Sequence, residues 1–314
     1  MSSPPRHLLK DLSLSAIAAG FVTVLVGFAS SAVIVFQAAQ SLGASPEEIS
    51  SWMWALGLGM GLTCIGLSLR YRMPVVTAWS TPGAAMLIGS VAGLPLSDAI
   101  GAFLMSALLI AASGFSGFFE RMISRIPVSL ASGMLAGVLL RFGIDAFAAM
   151  KTQLGMVLTM FAVYLLARRL LPRYAVILTL LVGIAFAAGL GLLRVDGLSL
   201  ELAKPVFTTP TFSLAAIVGI ALPLFIVTMA SQNVPGVAVI RASGYAIPIS
   251  PVVGWTGLVN LLLAPFGAFA LNLAAITAAI CMGREAHEDA ARRYVAAIAA
   301  GVFYVVVGLF GATV

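Results

Sequence analysis

Three short polar stretches lie within an otherwise apolar sequence, and their side chains could bind a solute. Hydroxyl, amide and indole groups can form hydrogen bonds and stack on a ring, which suits binding rather than catalysis. The sequence has no paired intramembrane carboxylates, no His and Glu metal spacing, no phosphate loop and no nucleophile beside a base. It therefore predicts no enzyme, no cofactor and no metal site. The candidate substrate-binding residues are Ser30, Ser31, Trp79, Ser80, Thr81, Gly83, Ser231, Gln232, Asn233, Asn272 and Thr277.

The stretch from Val75 to Leu87 predicts a broken helix. It begins with β-branched residues that favour extended chain, and Thr81-Pro82-Gly83 then allows a helix to open with Pro in its first turn. An ordinary proline kink is the alternative. A half-helix here would present unpaired donors from Ser80, Thr81, Gly83 and Ala84.

A second short segment, 267–283, is similar to the first, because Asn272 stands where a broken backbone could use a polar side chain. Its helix would present donors from Ala275, Ile276 and Thr277. The amino end of a helix carries unpaired N–H groups and the positive end of the helix dipole. Two such ends that face each other would bind an anion without a buried Arg or Lys.

A polar triplet, Ser231-Gln232-Asn233, precedes Pro235 and Gly236 in the middle of an apolar run. Buried amides cost several kcal/mol if they stay unpaired, so they must bond to a neighbouring helix, water or substrate. An unwound or kinked helix that lines a ligand site is predicted, with helix-to-helix hydrogen bonding as the alternative. In the first apolar run, Ser30, Ser31 and Gln37 are the counterparts of this triplet in an internal repeat described below, with close helix contact, where Ser is common, as the alternative.

Aromatic and charged residues elsewhere have simpler interpretations. Trp79 stands beside the first break, where it could stack on a planar substrate or merely pack. Arg141 and Asp145 are four residues apart and predict a structural pair on one helical face. The other three tryptophans, which lie near the ends of apolar runs, are predicted to be interfacial anchors: Trp52, Trp54 and Trp255.

The composition is that of a membrane protein, since 61% of the 314 residues are apolar and 9% are charged. The net charge of +6 is scattered between the apolar runs, without the basic face that nucleic-acid binding requires. With a cytoplasmic N-terminus, thirteen of the 17 Lys and Arg residues fall on the inner side, which predicts a multi-pass inner-membrane protein. About eleven spans of roughly 20 residues are predicted, at 12–40, 50–69, 75–93, 97–118, 127–149, 151–167, 174–193, 212–240, 250–267, 270–283 and 294–313.

An internal repeat is visible when the chain is shifted on itself by about 200 residues. Seven predicted spans separate the two copies, and an odd number inverts the second copy. Inverted repeats with paired broken helices are typical of transporters whose site lies at the repeat interface. The shift places Ala29-Ser30 on Ala230-Ser231, Gly43 on Gly244 and Trp54 on Trp255, and a shift of 195 places Thr77 on Asn272.

Three stretches resemble the signature sequences of the benzoate/proton symporter family. They are Thr77-Ala-Trp-Ser-Thr-Pro-Gly-Ala-Ala-Met86, Met229-Ala-Ser-Gln-Asn-Val-Pro-Gly-Val-Ala238 and Leu271-Asn-Leu-Ala-Ala-Ile-Thr-Ala-Ala279. The resemblance covers essentially the whole chain. It implies the fold shared by uracil and xanthine transporters, sulfate permeases and bicarbonate exchangers, in which fourteen spans form two inverted sevens.

In that fold a core domain moves against a gate domain, and the half-helices of spans 3 and 10 hold the substrate. The resemblance implies an all-α polytopic protein whose core lies in residues 1–118 and 212–314. Residues 119–211 would form the first half of the gate. On this resemblance, about 11 of the 14 expected spans would fall within the sequence and the second half of the gate would not. The nucleobase carriers of this fold use acidic residues where Ser231 and Leu271 stand here, which argues against nucleobases.

The resulting prediction is a secondary active transporter that takes up benzoate, or a similar aromatic carboxylate, together with a proton. The expected partners are the organic anion, the proton and the lipid bilayer, with no nucleic acid. A passive anion channel or facilitator, carriage of another small anion or nucleobase, and a membrane-embedded binding protein are the alternatives. The oligomeric state stays open, with a homodimer as one candidate assembly.

Overall fold

The computed structural model describes residues 11–90, 94–123, 140, 143–144, 146–171, 174–192 and 201–311. The described part of the chain is mostly helical and contains seven helices that are long and apolar enough to cross a membrane. In a lipid core a backbone finds no water to bond, so helices that pair their own N–H and C=O groups are the expected architecture. The chain is therefore a polytopic α-helical membrane protein.

The elements follow one another along the chain, and all but two of them are helices. In chain order they are α1 (Leu14–Ser41), α2 (Pro46–Tyr71), β1 (Thr77–Ala78), α3 (Thr81–Ser90), α4 (Leu96–Phe115), α5 (Phe118–Ile123), α6 (Met150–Leu170), α7 (Ala175–Gly189), α8 (Leu214–Ala242), α9 (Ile249–Leu263), β2 (Asn272–Leu273), α10 (Ile276–Met282) and α11 (Tyr294–Leu309). Short 3₁₀ turns, Ala264–Phe266 and Ala290–Arg292, extend α9 and precede α11.

Seven of the predicted spans correspond to α1, α2, α4, α6, α8, α9 and α11. Two other predicted spans correspond to the short helices α3 and α10, each of which follows a stretch of extended chain. Another corresponds to α7, which has 15 residues. The span predicted at 127–149 lies mostly outside the described residues. The predicted Arg141 and Asp145 pair also lies outside them.

Glycine contacts bring the long helices together in two pairs. A Cβ added at Gly57 on α2 would lie 2.6 Å from the Cα of Gly308 on α11. One added at Gly257 on α9 would lie 2.5 Å from the backbone N of Ala111 on α4. Membrane helices gain no hydrophobic energy from one another in lipid and pack closely through such small residues instead. The pairs α2 with α11 and α4 with α9 form the frame around the two broken segments.

Helix α8 is continuous but widened at the polar triplet. It contains two π-helical turns, Ile217–Ala221 and Met229–Asn233, and the second ends just before Pro235. Proline lacks an N–H and its ring crowds the carbonyl four residues earlier, so the helix accommodates it by opening one turn. The sequence predicted an unwound or kinked segment here, and the structure shows a local widening without a break.

Trp52 is a buried core residue, so its prediction as an interfacial anchor was wrong. It is 1% exposed, and its ring lies 5.4 Å from that of Phe103 and 5.7 Å from that of Phe269. Helix α2 begins at Pro46, before the predicted start, and the turn after α9 brings Gly267 directly against the indole. Trp255, by contrast, is 47% exposed, as expected of a residue on the outer surface.

Candidate functional site

The two broken segments meet in a short antiparallel β-ladder. Thr77 pairs with Leu273 and Ala78 pairs with Asn272, and the N–H of Ala274 donates to the carbonyl of Val76 at 2.9 Å. Extended chain inside an apolar bundle must satisfy its backbone groups within the protein. Each segment supplies the partners that the other lacks, so β1 and β2 stabilise each other.

Polar side chains from the surrounding helices hold this ladder in place. On the β1 side, the hydroxyls of Thr63 and Thr77 are 2.6 Å apart, and the Thr77 N–H donates to the sulfur of Cys64. On the β2 side, the amide oxygen of Asn233 accepts the N–H of Leu273 at 2.9 Å. Because all of these groups are buried, each hydrogen bond satisfies a polar group that would otherwise be unpaired.

Helix α3 begins three residues after β1 and is capped by Ser80, the residue before it. The hydroxyl of Ser80 accepts the N–H of Gly83 at 3.1 Å, and the Ser80 carbonyl accepts that of Ala84 at 2.8 Å. Pro82 has no N–H to offer. Among the described residues no acceptor is bonded to the N–H of Thr81, which is the donor that this helix start leaves available.

Helix α10 begins three residues after β2 and has a more open start. No acceptor in the described part of the chain is bonded to the N–H groups of Ala275, Ile276 or Thr277. The helix has only seven residues, so these local N–H groups, rather than a long helix dipole, would provide the attraction for an anion. Ala275, Ile276 and Thr277 line the same cavity as Thr81.

This cavity lies beside the ladder and encloses about 520 Å³ of empty space, including its open mouth. Neither Asp, Glu, His, Lys nor Arg is among the described residues that line it, so its polarity comes from hydroxyls, one amide and backbone N–H groups. The lining residues are Val26, Gly27, Ser30, Ser31, Met60, Ala78, Trp79, Thr81, Gln232, Ala274, Ala275, Ile276, Thr277 and Tyr304.

Trp79 is held at the cavity wall in one orientation. Its indole Nε1 donates to the hydroxyl of Ser31 at 2.9 Å, and that hydroxyl donates in turn to the carbonyl of Gly27 at 2.9 Å. The ring of Phe28 meets the indole edge-on at 4.8 Å. With 4% of its surface exposed, Trp79 offers a small, fixed apolar face to the cavity.

The structure brings six of the predicted binding residues to the cavity and places five elsewhere. Ser30, Ser31, Trp79, Thr81, Gln232 and Thr277 line it. The side chain of Gln232 forms no hydrogen bond with another described residue, so its amide is available to a ligand. The others are structural or peripheral: Ser80 caps α3, Gly83 packs on Leu224, Asn233 holds β2, Asn272 donates to the carbonyl of Ala270, and Ser231 is exposed and bonds the carbonyl of Val227.

Several lining residues were not predicted from the sequence, among them Tyr304 and Met60. Tyr304 on α11 is 1% exposed, and its hydroxyl lies 3.1 Å from the point that a Cβ on Gly27 would occupy. Met60 on α2 also lines the cavity. The signal for Tyr304 was a lone phenol in a run of Val, Ala and Gly, where a buried hydroxyl needs a partner.

These features define the chain as a polytopic membrane protein with a small polar cavity at the junction of two interrupted helices. Residues 10–314 match the family model described as benzoate membrane transport protein, so the chain belongs to that family, which consists of transporters rather than enzymes. It is 48% identical over 313 residues to the inner membrane protein YdcO of Escherichia coli (strain K12), covering 100% of this chain and 78% of that protein. It is 39% identical over 314 residues to the benzoate membrane transport protein of Acinetobacter baylyi, covering 100% of this chain and 80% of that protein. Its inner-membrane relative and its seven apolar helices place the chain in the inner membrane.

Proposed function

We propose that the chain carries benzoate, or a similar aromatic monocarboxylate, across the inner membrane together with a proton. The observation that supports this most directly is the cavity lined by Thr81 and by Ala275 to Thr277, whose N–H groups are bonded to no acceptor in the described part of the chain. The name of the Acinetobacter relative identifies benzoate as the solute of that protein. A carboxylate would accept hydrogen bonds from the N–H groups and from the amide of Gln232.

The cavity suits a monoanion that carries an apolar ring. Hydrogen bonds from neutral donors to a charged acceptor are stronger than those between neutral groups, so backbone N–H groups can hold a carboxylate without a cationic side chain. Val26, Met60 and the indole of Trp79 supply apolar surface for the ring. A buried Arg or Lys would bind more tightly but would also slow release, which a carrier must avoid.

Coupling to a proton follows from the charge of the solute. Bringing a monoanion into a cell whose interior is negative costs about 2.3 kcal/mol per 100 mV. One proton carried in the same direction makes the cycle electrically neutral and lets a pH gradient drive accumulation. Among the described residues that line the cavity, Tyr304 is the single titratable side chain. It is therefore the candidate within the cavity for carrying the proton.

The inverted repeat is proposed on three structural parallels. A shift of 195 sends Thr77 to Asn272 and Ala78 to Leu273, which exchanges the two pairs of the β-ladder as a two-fold axis would. Helices α1 and α8 end in matching turns at Gly43 and Gly244, with φ of 75° and 83°. The repeat maps α2 onto α9 and α4 onto α11. The packed pair α2 and α11 therefore corresponds to the packed pair α9 and α4.

The division into a core and a gate is proposed on the same basis. Residues 1–118 and 212–314 contain the ladder, the cavity and the helices that frame them. Within the described part of 119–211, helices α6 and α7 pack mainly on each other, and α7 also packs on α1. Movement of the core against these helices would expose the cavity to one side at a time.

Uptake of labelled benzoate into proteoliposomes tests the proposal. With an inward pH gradient the protein is expected to concentrate benzoate above the outside level, and Gln232→Ala is expected to weaken uptake by about tenfold or more, because a hydrogen bond to a charged group is worth roughly 1.5–3 kcal/mol. Ser231→Ala, one residue away and outside the cavity, is the matched control and should behave as wild type. Uptake that only equilibrates would indicate a passive facilitator, and binding without uptake would indicate a binding protein.

A further inference from the structure

A second cavity lies on the other side of the α10 start. It encloses about 910 Å³ of empty space, including its open part, and lies between α1, α10 and the pair α6 and α7. Most of its wall is apolar. Its lining includes Ser15, Ala19 and Val22 of α1, Tyr164 of α6, and Glu285 beyond the end of α10.

The two cavities follow the same helix faces. On α1, Val22 and Ala19 of the second cavity lie one and two turns before Val26 of the first, at spacings of four and three residues. On α10, Ala279 and Ile280 of the second cavity lie one turn after Ile276. Together the cavities form one interrupted groove that runs along α1 and α10.

The groove leads towards the cytoplasmic side of the membrane. Its far end is marked by Ser15 in the first turn of α1 and by Glu285 in the loop after α10. The distribution of Lys and Arg in the sequence places both of these ends on the inner side. Among the described residues that line either cavity, Ile276 alone lines both.

We propose that the side chain of Ile276 is an apolar partition that separates the substrate cavity from an inner passage through which the carboxylate leaves to the cytoplasm. This rests on the proposed function only for the identity of the solute. A β-branched side chain is stiff at χ1, so it can close a narrow neck without much loss of entropy. Its neighbour Ala279 is small and leaves the passage beyond the neck open. A charged solute cannot cross such an apolar neck without the side chain or α10 moving.

Cysteine labelling in inside-out vesicles tests the partition without any benzoate. The background is Cys64→Ser with Cys281→Ser, which removes the two buried native thiols. Ser30→Cys then places a thiol in the substrate cavity, and a membrane-impermeant methanethiosulfonate reagent is added from the cytoplasmic side. Ile276→Ala is expected to speed labelling of the S30C thiol by about tenfold or more, the factor that a barrier lower by 1.4 kcal/mol gives.

Ile280→Ala is the matched control, because Ile280 lies one turn along the same helix and lines only the second cavity. It should leave the labelling rate unchanged, while Ala279→Cys should be labelled rapidly in every background. Ile276→Val, a milder change that keeps the β-branch, should give a smaller acceleration and serves if Ile276→Ala does not fold. Equal rates for I276A, I276V and I280A would overturn the partition. Benzoate uptake by the wild type, measured separately, tells failure of this inference from failure of the proposed function.

Discussion

The amide oxygen of Asn233 accepts a hydrogen bond from the backbone N–H of Leu273 at 2.9 Å. This bond joins the π-helical turn of α8 to β2, and both residues are fully buried. The polar triplet of α8 therefore has two functions in adjacent positions. Asn233 supports the ladder, and Gln232 faces the cavity.

Asn233→Ala is expected to destabilise the protein. The change leaves the Leu273 N–H buried without a partner, which costs roughly 1–3 kcal/mol. Thermal unfolding of the purified protein in detergent measures the loss. Ser231→Ala, whose hydroxyl bonds only its own helix and is exposed, is the control and should unfold at the wild-type temperature. Equal unfolding temperatures for the two variants would show that the hydrogen bond from Leu273 to Asn233 does not stabilise the protein.

Ser31→Ala is expected to weaken benzoate binding by loosening Trp79. Loss of one hydrogen bond of about 0.5–1.5 kcal/mol corresponds to a rise in Kd of roughly 2- to 12-fold. Trp79→Phe removes the same bond from the other side, so the double variant should lose less than the sum of the two. Ser41→Ala, at the far end of α1, is the control. Additive losses would mean that the Ser31 and Trp79 contact plays no part in binding.

Gly27→Ala is expected to block the cavity. The new methyl would stand 3.1 Å from the hydroxyl of Tyr304 and would project into the space for the ligand, so we expect Kd for benzoate to rise about tenfold. Tyr304→Phe removes that hydroxyl and should restore part of the affinity in the double variant. Binding by isothermal titration provides the test, and unchanged affinity in Gly27→Ala would place the ligand elsewhere.

Gly57→Ala is expected to force α2 and α11 apart. Its Cβ would lie 2.6 Å from the backbone of Gly308, which cannot move without shifting the helix, and such overpacking typically costs about 1–3 kcal/mol. Gly66→Ala on the same helix meets nothing within 4 Å and should be neutral or stabilise by up to about 1 kcal/mol. The unfolding temperature is expected to fall in Gly57→Ala and to stay level or rise in Gly66→Ala. A similar response in both variants would contradict the close packing.

Local signals in the sequence predicted the helix breaks. Val75 and Val76 favour extended chain, and Pro82 is favoured in the first turn of a helix, so a helix start at Thr81 is predicted by adjacent residues. The polar triplet of α8 was likewise visible against its apolar surroundings. Such features depend on a few adjacent residues, which is why they could be read without a structure.

The rest depended on contacts between distant residues. Pairing of Thr77 with Leu273 joins segments almost 200 residues apart, and nothing local indicates it. Ser80 and Asn272 lie within the predicted segments but bond neighbouring backbone groups and do not line the cavity, because the direction of each side chain depends on where the chain turns. Tyr304 was missed because the facing of a residue in a uniformly apolar helix is set by its neighbours in space.

The carboxylate is expected to bind beside the β-ladder, where the starts of α3 and α10 line one cavity. A structure of the protein with 4-bromobenzoate tests it most directly, because the anomalous signal of bromine marks the ring without ambiguity. We expect the bromine inside the cavity beside Trp79, and the carboxylate within hydrogen-bond distance of the N–H groups of Ala275 to Thr277. Bromine found outside that cavity, or a carboxylate turned away from both helix starts, would contradict the account.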